Sequence, residues 1–142
     1  MHSARRLNDG MGAYVANQVV KCMNKKGVLV KDARILILGI TFKENCPDVR
    51  NTKVVDIYTT LEEYSKNITI YDPWVNTDRV KHEYNIDVVN TLPSEEKFDA
   101  IILAVSHKQF LDLDIASLKR STQSVIYDVK GILPRNVIDG RL

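Results

Sequence analysis

Short apolar runs alternate along the chain with longer stretches in which apolar residues recur every three or four positions. Continuous apolar runs of roughly four to eight residues are typical of parallel strands buried on both faces, and the wider spacing is typical of helices packed on one side. The pattern predicts strands over residues 34–40, 68–71, 86–89, 98–105 and 124–127. It predicts helices over residues 11–23, 52–65, 78–84 and 108–118.

Strands that alternate with helices, without hairpin signals between them, predict an α/β fold. We expect a doubly wound, Rossmann-like sheet of five parallel strands joined by right-handed crossovers. Residues 1–28 are predicted to form an N-terminal helical appendage, and residues 29–142 the α/β domain itself.

Composition agrees with one folded domain, because 44% of the 142 residues are apolar and 27% are charged. No apolar run approaches the roughly 20 residues of a membrane span, so we expect no membrane partner. The two cysteines lie 24 positions apart in the sequence and predict neither a disulfide framework nor a metal site. A reducing, cytoplasmic location is therefore expected.

Charge is distributed unevenly. Residues 1–34 hold seven Lys or Arg and two Asp, a balance of +5, whereas the remaining residues hold 13 basic and 16 acidic side chains, a balance of −3. A basic leader can form a nucleic-acid-binding arm. The helical spacing of Met11, Val15 and Val19 favours a helix with a Lys-rich polar face instead, so we expect no nucleic-acid partner.

The segment 41–50, between the first predicted strand and the next helix, is the first candidate site. Ligands of open parallel sheets bind beyond the carboxyl ends of the strands, at the point where the strand order reverses. Gly39 stands alone there, and no G-x-G-x-x-G motif occurs in the chain. Phosphate would therefore be held by the side chains of Lys43 and Arg50. The alternative is that both are solvated surface cations.

Other residues near the same sheet edge are weaker candidates. Lys130 follows the last predicted strand and falls on this edge. We interpret His107 as a helix-start or surface residue and the Asp72-Pro73 pair as a turn former. Cys46 is interpreted as incidental, because no His, Asn or Asp constellation marks a base for a nucleophile. No catalytic residue is predicted.

Three spaced motifs stand out in this sequence. Gly39 to Lys43 read G-x-x-F-K, Asp48 to Arg50 read D-x-R, and Tyr71-Asp72-Pro73 ends the second predicted strand. Together they resemble the corresponding motifs in the C-terminal domain of the UDP-glucose/GDP-mannose dehydrogenase family. Residues 104–110 and 128–131 resemble the branch that oxidises UDP-N-acetylhexosamines. Residues 5–11 resemble the end of the family's central dimerisation helix.

The resemblance implies a function. The family oxidises the C6 alcohol of a UDP-sugar to a carboxylate with two NAD, through a cysteine thiohemiacetal, for polysaccharide biosynthesis. Phe42 and Lys43 would contact the UDP-sugar, Lys130 would assist at the nucleotide, and Arg50 would reach NAD bound mainly by a separate N-terminal domain. Residues 1–28 would end the central dimerisation helix, and residues 29–142 would form the UDP-sugar-binding domain of a homodimeric enzyme.

Motifs that the family needs for catalysis do not occur in this sequence. It lacks the Gly-Gly-x-Cys nucleophile motif, so the chain alone is expected to be inactive and to bind its substrate together with the rest of its own polypeptide. The alternative is a stand-alone nucleotide-binding or protein-interaction module. Without a neighbouring domain, the apolar face of residues 5–26 must fold back on the sheet, pair with another copy or stay exposed. We expect self-association or partial disorder there.

Overall fold

The computed structural model of the chain describes the backbone of residues 2–142 and the side chains of residues 10–142. The strands are β1 (Ile35–Leu38), β2 (Ile68–Tyr71), β3 (Ala100–Leu103), β4 (Val125–Asp128) and β5 (Gly140–Arg141). The helices are α1 (His2–Lys25), α2 (Val54–Glu62), α3 (Thr77–Tyr84) and α4 (Lys108–Leu111), followed by a 3₁₀ helix over Ile115–Leu118.

The five strands form one sheet in the order β2-β1-β3-β4-β5, and every neighbouring pair is parallel. The chain moves outward from β1 to β2 and then crosses back over β1 to β3. The strand order therefore reverses between β1 and β3, which is the switch point of a doubly wound sheet. The predicted five-stranded parallel α/β fold is confirmed.

Alternate residues of the central strands point to opposite faces, and both faces are covered. Ile35 and Ile37 lie in a core formed with α1, α2 and α3. Leu36 and Leu38 lie in a second core formed with Phe110 of α4, the 3₁₀ helix and the C-terminal segment. Burial on both faces explains why these strands read as continuous apolar runs.

The predicted strand over residues 86–89 is wrong. Val89 makes one parallel bridge to Tyr71, the last residue of β2, on the outer side of that strand. Ile86 and Val88 are buried against the core. The apolar pattern of this segment thus serves packing, and only its last residue reaches the sheet. The fifth strand is instead β5, which the sequence pattern missed because it has two residues and one of them is charged.

The helix predicted over residues 108–118 is divided into α4 and the 3₁₀ helix. Asp112 follows α4 as its C-cap residue, and Asp114 is the N-cap residue of the 3₁₀ helix. Aspartate competes with the backbone for hydrogen bonds and disfavours a helix interior, so two aspartates this close interrupt the helix.

Helix α1 starts well before Met11, and its apolar face folds back onto the sheet. Val15, Val19 and Met23 are fully buried in the core shared with α2. A side chain at Gly12 would put its Cβ 2.4 Å from the Cβ of Asp56, so glycine permits the close contact between α1 and α2. The expectation of partial disorder is therefore corrected for the described residues of this face, because α2 and the sheet cover them, and the expected self-association stays a prediction.

The resemblance of residues 5–11 to a dimerisation helix falls mostly on residues whose side chains the structure does not describe, among them Arg5 and Arg6. Helix α1 has 24 residues, but no helix in the described part of the chain is long and apolar enough to cross a membrane.

Candidate functional site

The loop that joins β1 to α2, residues 39–53, is named the β1 loop, and it folds back on itself. The Phe42 amide donates a hydrogen bond to the Asp48 carbonyl oxygen at 2.7 Å. The Thr41 hydroxyl donates to the Lys43 carbonyl oxygen at 2.8 Å. These two bonds fix the backbone on both sides of the Phe42-Lys43 pair.

A buried carboxylate anchors the start of this loop. Asp72 follows β2, and its carboxylate accepts the backbone amides of Ile40 and Trp74, each at 2.8 Å. The same carboxylate lies 3.0 Å from Nε2 of His107, which follows β3. The Nδ1 atom of His107 accepts the Asn45 amide at 2.9 Å. Side chains from the ends of β2 and β3 therefore hold the loop that follows β1.

The loop between β4 and β5, residues 129–139, is named the β4 loop, and its anchor is local. Asp128 ends β4, and its buried carboxylate accepts the backbone amides of Lys130, Gly131 and Leu133 at 3.0, 2.8 and 2.7 Å. Three amides wrapped around one carboxylate fix the path of the backbone that carries Lys130.

A cavity of about 170 Å³ opens between these loops at the carboxyl end of the sheet. Its walls come from the two loops, from the chain that follows β3, and from α1 and α2. The lining residues are Met11, Gly12, Val15, Thr41, Phe42, Thr52, Lys53, Val54, Ile57, Ala104, Val105, Val129 and Lys130. The cavity thus lies at the switch point between β1 and β3, where doubly wound sheets bind ligands.

The structure brings some of the predicted site residues together. Phe42 and Lys130 line the same cavity, although they are 88 positions apart in the sequence. Phe42 is 57% exposed, an unusual position for a large aromatic side chain. Lys43 is exposed next to Phe42 on the same sheet edge, but it is not among the described residues that line the cavity.

Arg50 lies apart from the cavity, at the far end of the β1 loop. Its side chain is 70% exposed, and its guanidinium forms two hydrogen bonds of 3.1 Å to the two carboxylate oxygens of Asp48. Hydrogen bonds from the Arg50 side chain and amide lower the pKa of Asp48 to about 2. The pair fixes the direction of the guanidinium but is open to solvent.

Two sequence interpretations need correction. His107 does stand at the start of α4, but it is fully buried rather than a surface residue. Asp72 does form a local turn with the Trp74 amide, and it also anchors β1 and His107 across the sheet. Cys46, interpreted as incidental, is half-buried in the β1 loop.

Sequence reasoning missed several residues of the site. Thr52 and Lys53 line the cavity just before α2, and Asn45 and Asp128 shape the two loops. A signal existed for Asp128, because an Asp closing a strand and followed three residues later by Gly is typical of a carboxylate-anchored turn. No local signal marks Asn45, whose partner is 62 positions away.

Comparison with known proteins identifies the chain. Residues 36–135 match the family described as "UDP-glucose/GDP-mannose dehydrogenase family, UDP binding domain". The chain belongs to this family.

The relatives agree with the predicted branch of the family. The UDP-N-acetyl-D-glucosamine 6-dehydrogenase of Pseudomonas aeruginosa is 48% identical over 142 residues, which are 99% of this chain and 33% of that protein. The protein of the same name from Salmonella typhi is 45% identical with the same coverage. The solved structure of UDP-D-ManNAc dehydrogenase from Pyrococcus horikoshii has a TM-score of 0.77 at 25% identity, covering 97% of this chain and 32% of that one. The chain spans about one third of the length of the curated relatives it matches.

The dehydrogenases of this family use NAD, but the described residues do not fit a dinucleotide site of their own. A dinucleotide fold places a tight glycine-rich turn directly before a helix N-terminus, whereas here the long β1 loop intervenes. Gly39 has a φ of +96°, and a Cβ there would lie 2.5 Å from the Cβ of Val105. This glycine therefore allows two loops to approach each other and does not open space for a pyrophosphate.

Proposed function

We propose that this chain binds the UDP moiety of a UDP-sugar as part of an NAD-dependent 6-dehydrogenase. The observation that carries the proposal is the cavity at the switch point of the sheet, with Phe42 and Lys130 on its wall. Family membership supports the nucleotide, because the matched region is a UDP-binding domain.

Charge and shape at this edge suit a nucleoside diphosphate. Lys53 and Lys130 line the partly apolar cavity, and Lys43 is an exposed cation directly after Phe42, which also lines it. A cation at a partly buried edge attracts a diphosphate more strongly than a fully solvated one does, because less water screens it. The exposed ring of Phe42 offers an apolar surface to the uracil or the ribose.

We propose a UDP-N-acetylhexosamine as the sugar substrate. The relatives of 48% and 45% identity are named for UDP-N-acetyl-D-glucosamine. In the reaction, the C6 alcohol is oxidised to a carboxylate. The residues of this chain bind and orient the UDP part, and the rest of the intact enzyme would carry out the chemistry.

We also propose that Arg50 reaches NAD bound mainly by a separate N-terminal domain of the intact enzyme, and that this enzyme is a homodimer. Arg50 supports the first point by its geometry, because Asp48 holds an exposed guanidinium away from the cavity. The dimer rests on the resemblance of residues 5–11 to the central dimerisation helix.

Calorimetric titration of the 142-residue chain with UDP tests the substrate site. We expect Lys43→Ala and Lys130→Ala each to weaken UDP binding about tenfold or more, since each removes a charge-assisted contact worth roughly 1.5–3 kcal/mol. Lys97→Ala is the matched control, because Lys97 is an exposed lysine before β3 that bonds the Ser117 carbonyl oxygen at the opposite end of the sheet.

The control variant should bind UDP as the unsubstituted chain does. Equal losses for Lys97→Ala and Lys43→Ala would show that the site has been assigned to the wrong edge. A chain that binds no UDP at all would contradict the proposed function itself.

A further inference from the structure

His107 is fully buried, and both of its ring nitrogens are engaged by the network beneath the β1 loop. Its Nδ1 atom accepts the Asn45 amide at 2.9 Å. Its Nε2 atom lies 3.0 Å from the Asp72 carboxylate and 3.1 Å from the Thr41 hydroxyl oxygen. The imidazole therefore connects the end of β2 to the loop that follows β1.

The partners define which nitrogen carries the proton. A backbone amide is only a donor, so the Nδ1 atom facing Asn45 must be bare. The proton is then on Nε2, where the Asp72 carboxylate accepts it. The Thr41 hydroxyl gives its own proton to the Lys43 carbonyl oxygen, so its oxygen can share the Nε2 proton.

These bonds surround Lys43. The Thr41 hydroxyl holds the Lys43 carbonyl oxygen directly. Two residues later, Asn45 has a left-handed backbone with φ of 56°, donates its amide to His107 and accepts the Lys108 amide at 2.8 Å on its side-chain oxygen. The turn that follows Lys43 is thus docked on the start of α4.

From this geometry we infer that His107 is a positioning residue that holds the β1 loop in the shape that presents Phe42 and Lys43 to the UDP-sugar. The inference rests on the proposed function for the role of the ligand. Because the imidazole is buried beneath the loop, it acts through the Asn45 amide and not by touching the nucleotide.

Two substitutions separate the two sides of the imidazole. Asparagine places its amide oxygen as many bonds from Cβ as Nδ1 is, so His107→Asn can still accept the Asn45 amide. Glutamine places its amide nitrogen as many bonds from Cβ as Nε2 is, so His107→Gln can still donate to Asp72. Its amide oxygen lies one bond further from Cβ than Nδ1 does, so this variant has no acceptor at the position that faces the Asn45 amide. Both variants lose ring packing, so a merely structural role predicts similar effects.

Hydrogen exchange of the amides of residues 42–50 and calorimetric titration with UDP are the measurements. We expect His107→Gln to raise exchange across this segment and to weaken UDP binding about tenfold, whereas His107→Asn stays within about threefold of the unsubstituted chain. His82→Asn and His82→Gln are matched controls, since His82 is exposed in α3, and both should leave exchange and affinity unchanged.

Equal effects of His107→Asn and His107→Gln would overturn the inference, as would faster exchange in His107→Gln with unchanged UDP affinity. If the unsubstituted chain binds no UDP, the proposed function fails, and the exchange data alone decide whether His107 holds the loop.

If either His107 variant fails to fold, the unsubstituted chain provides the test. We expect the Asn45 amide to exchange far more slowly than in an unfolded chain, because it donates to the buried Nδ1 atom of His107, and we expect bound UDP to slow it further. Exchange of this amide at the rate of an unfolded chain, or a rate that bound UDP leaves unchanged, would overturn the inference.

Discussion

The β1 loop and the β4 loop lie side by side at one edge of the sheet, yet they are fixed in different ways. Each is anchored by a fully buried aspartate that accepts three N–H groups. The groups bonded to Asp128 all come from the five residues that follow it. Those bonded to Asp72 come from the end of β1, from the turn after β2 and from His107 after β3.

The difference concerns what each loop needs in order to form. The turn around Asp128 needs only its own strand, because carboxylate and amides are neighbours in sequence. The β1 loop needs β1, β2 and β3 to be paired first, because its anchor brings groups from all three strands together. A loop fixed by a distant network is rigid only in the complete fold, which suits a loop that must present Phe42 and Lys43 in one geometry.

Removing the two carboxylates in turn tests this comparison and gives the largest expected effect. We expect Asp72→Ala to lower the free energy of unfolding by about 4 kcal/mol. The substitution leaves the Ile40 amide buried without an acceptor, and the His107 Nε2–H loses its charged acceptor and keeps only the neutral Thr41 hydroxyl oxygen. Asp128→Ala should cost about 2 kcal/mol, because Lys130 and Gly131 are exposed and their amides can turn to water. Urea unfolding of both variants measures the two values.

Asp112→Ala is the control for a lost aspartate, since this exposed residue follows α4. Its effect should stay within about 0.5 kcal/mol. Equal losses for Asp72→Ala and Asp128→Ala would remove the distinction between a distant and a local anchor.

The same distinction separates what the sequence could predict from what it could not. The apolar runs of β1 and β3 are predictable because burial on both faces leaves few other patterns. A strand is wrongly predicted over residues 86–89, because core packing and strand pairing select the same apolar residues. β5 is too short to leave a pattern, and it is held by Asp139, whose carboxylate accepts the Ile126 amide at 2.8 Å.

The residues of the candidate site also separate into those that the sequence could predict and those that depend on distant partners. Phe42, Lys43 and Lys130 are found from motifs and from their place after strands, because the carboxyl ends of parallel strands share one edge. The partners of His107 lie 35, 62 and 66 positions from it along the chain, and two of the three partners of Asp72 lie 32 and 35 positions away. A lone histidine gives no sign of such partners, so its burial could not be predicted from neighbouring residues.

One glycine in each loop provides a second test of the comparison between the β1 loop and the β4 loop, with smaller expected losses of stability. Gly39 opens the β1 loop with φ of +96°, and a Cβ there would meet the Cβ of Val105 at 2.5 Å. Gly131 lies in the β4 loop with φ of +70° and has open space around it. We expect Gly39→Ala to cost about 3 kcal/mol from backbone strain plus collision, and Gly131→Ala about 1 kcal/mol from strain alone.

Thermal or urea unfolding of the two glycine variants provides the measurement, and Gly10→Ala in α1 is the control. Gly10 has open space and no positive φ, so alanine there should be neutral or slightly stabilising. A Gly131→Ala cost as large as that of Gly39→Ala would mean that the crowding against Val105 is relieved by small shifts.

The smallest effect concerns the exposed pair of Arg50 and Asp48 at the far end of the β1 loop, outside the buried network around His107. Hydrogen bonds from Arg50 lower the pKa of Asp48 from 3.8 to about 2, and a weaker attraction comes from Arg79. Because the pKa is lower in the folded state, the stabilisation is present above pH 3.8 and is lost as the pH falls through about 2. In an NMR titration of the Asp48 carboxyl, Arg50→Ala should raise the midpoint part of the way to 3.8, because the amide of residue 50 still donates to the carboxylate, and the matched variant Arg79→Ala should move it far less. Equal shifts in the two variants would show that general positive charge, and not the Arg50 hydrogen bonds, controls this carboxylate. The backbone of this segment is held independently of the pair, because the Phe42 amide and the Tyr84 hydroxyl donate to the carbonyl oxygens of Asp48 and Val49, so the exposed pair directs the Arg50 side chain and not the path of the loop.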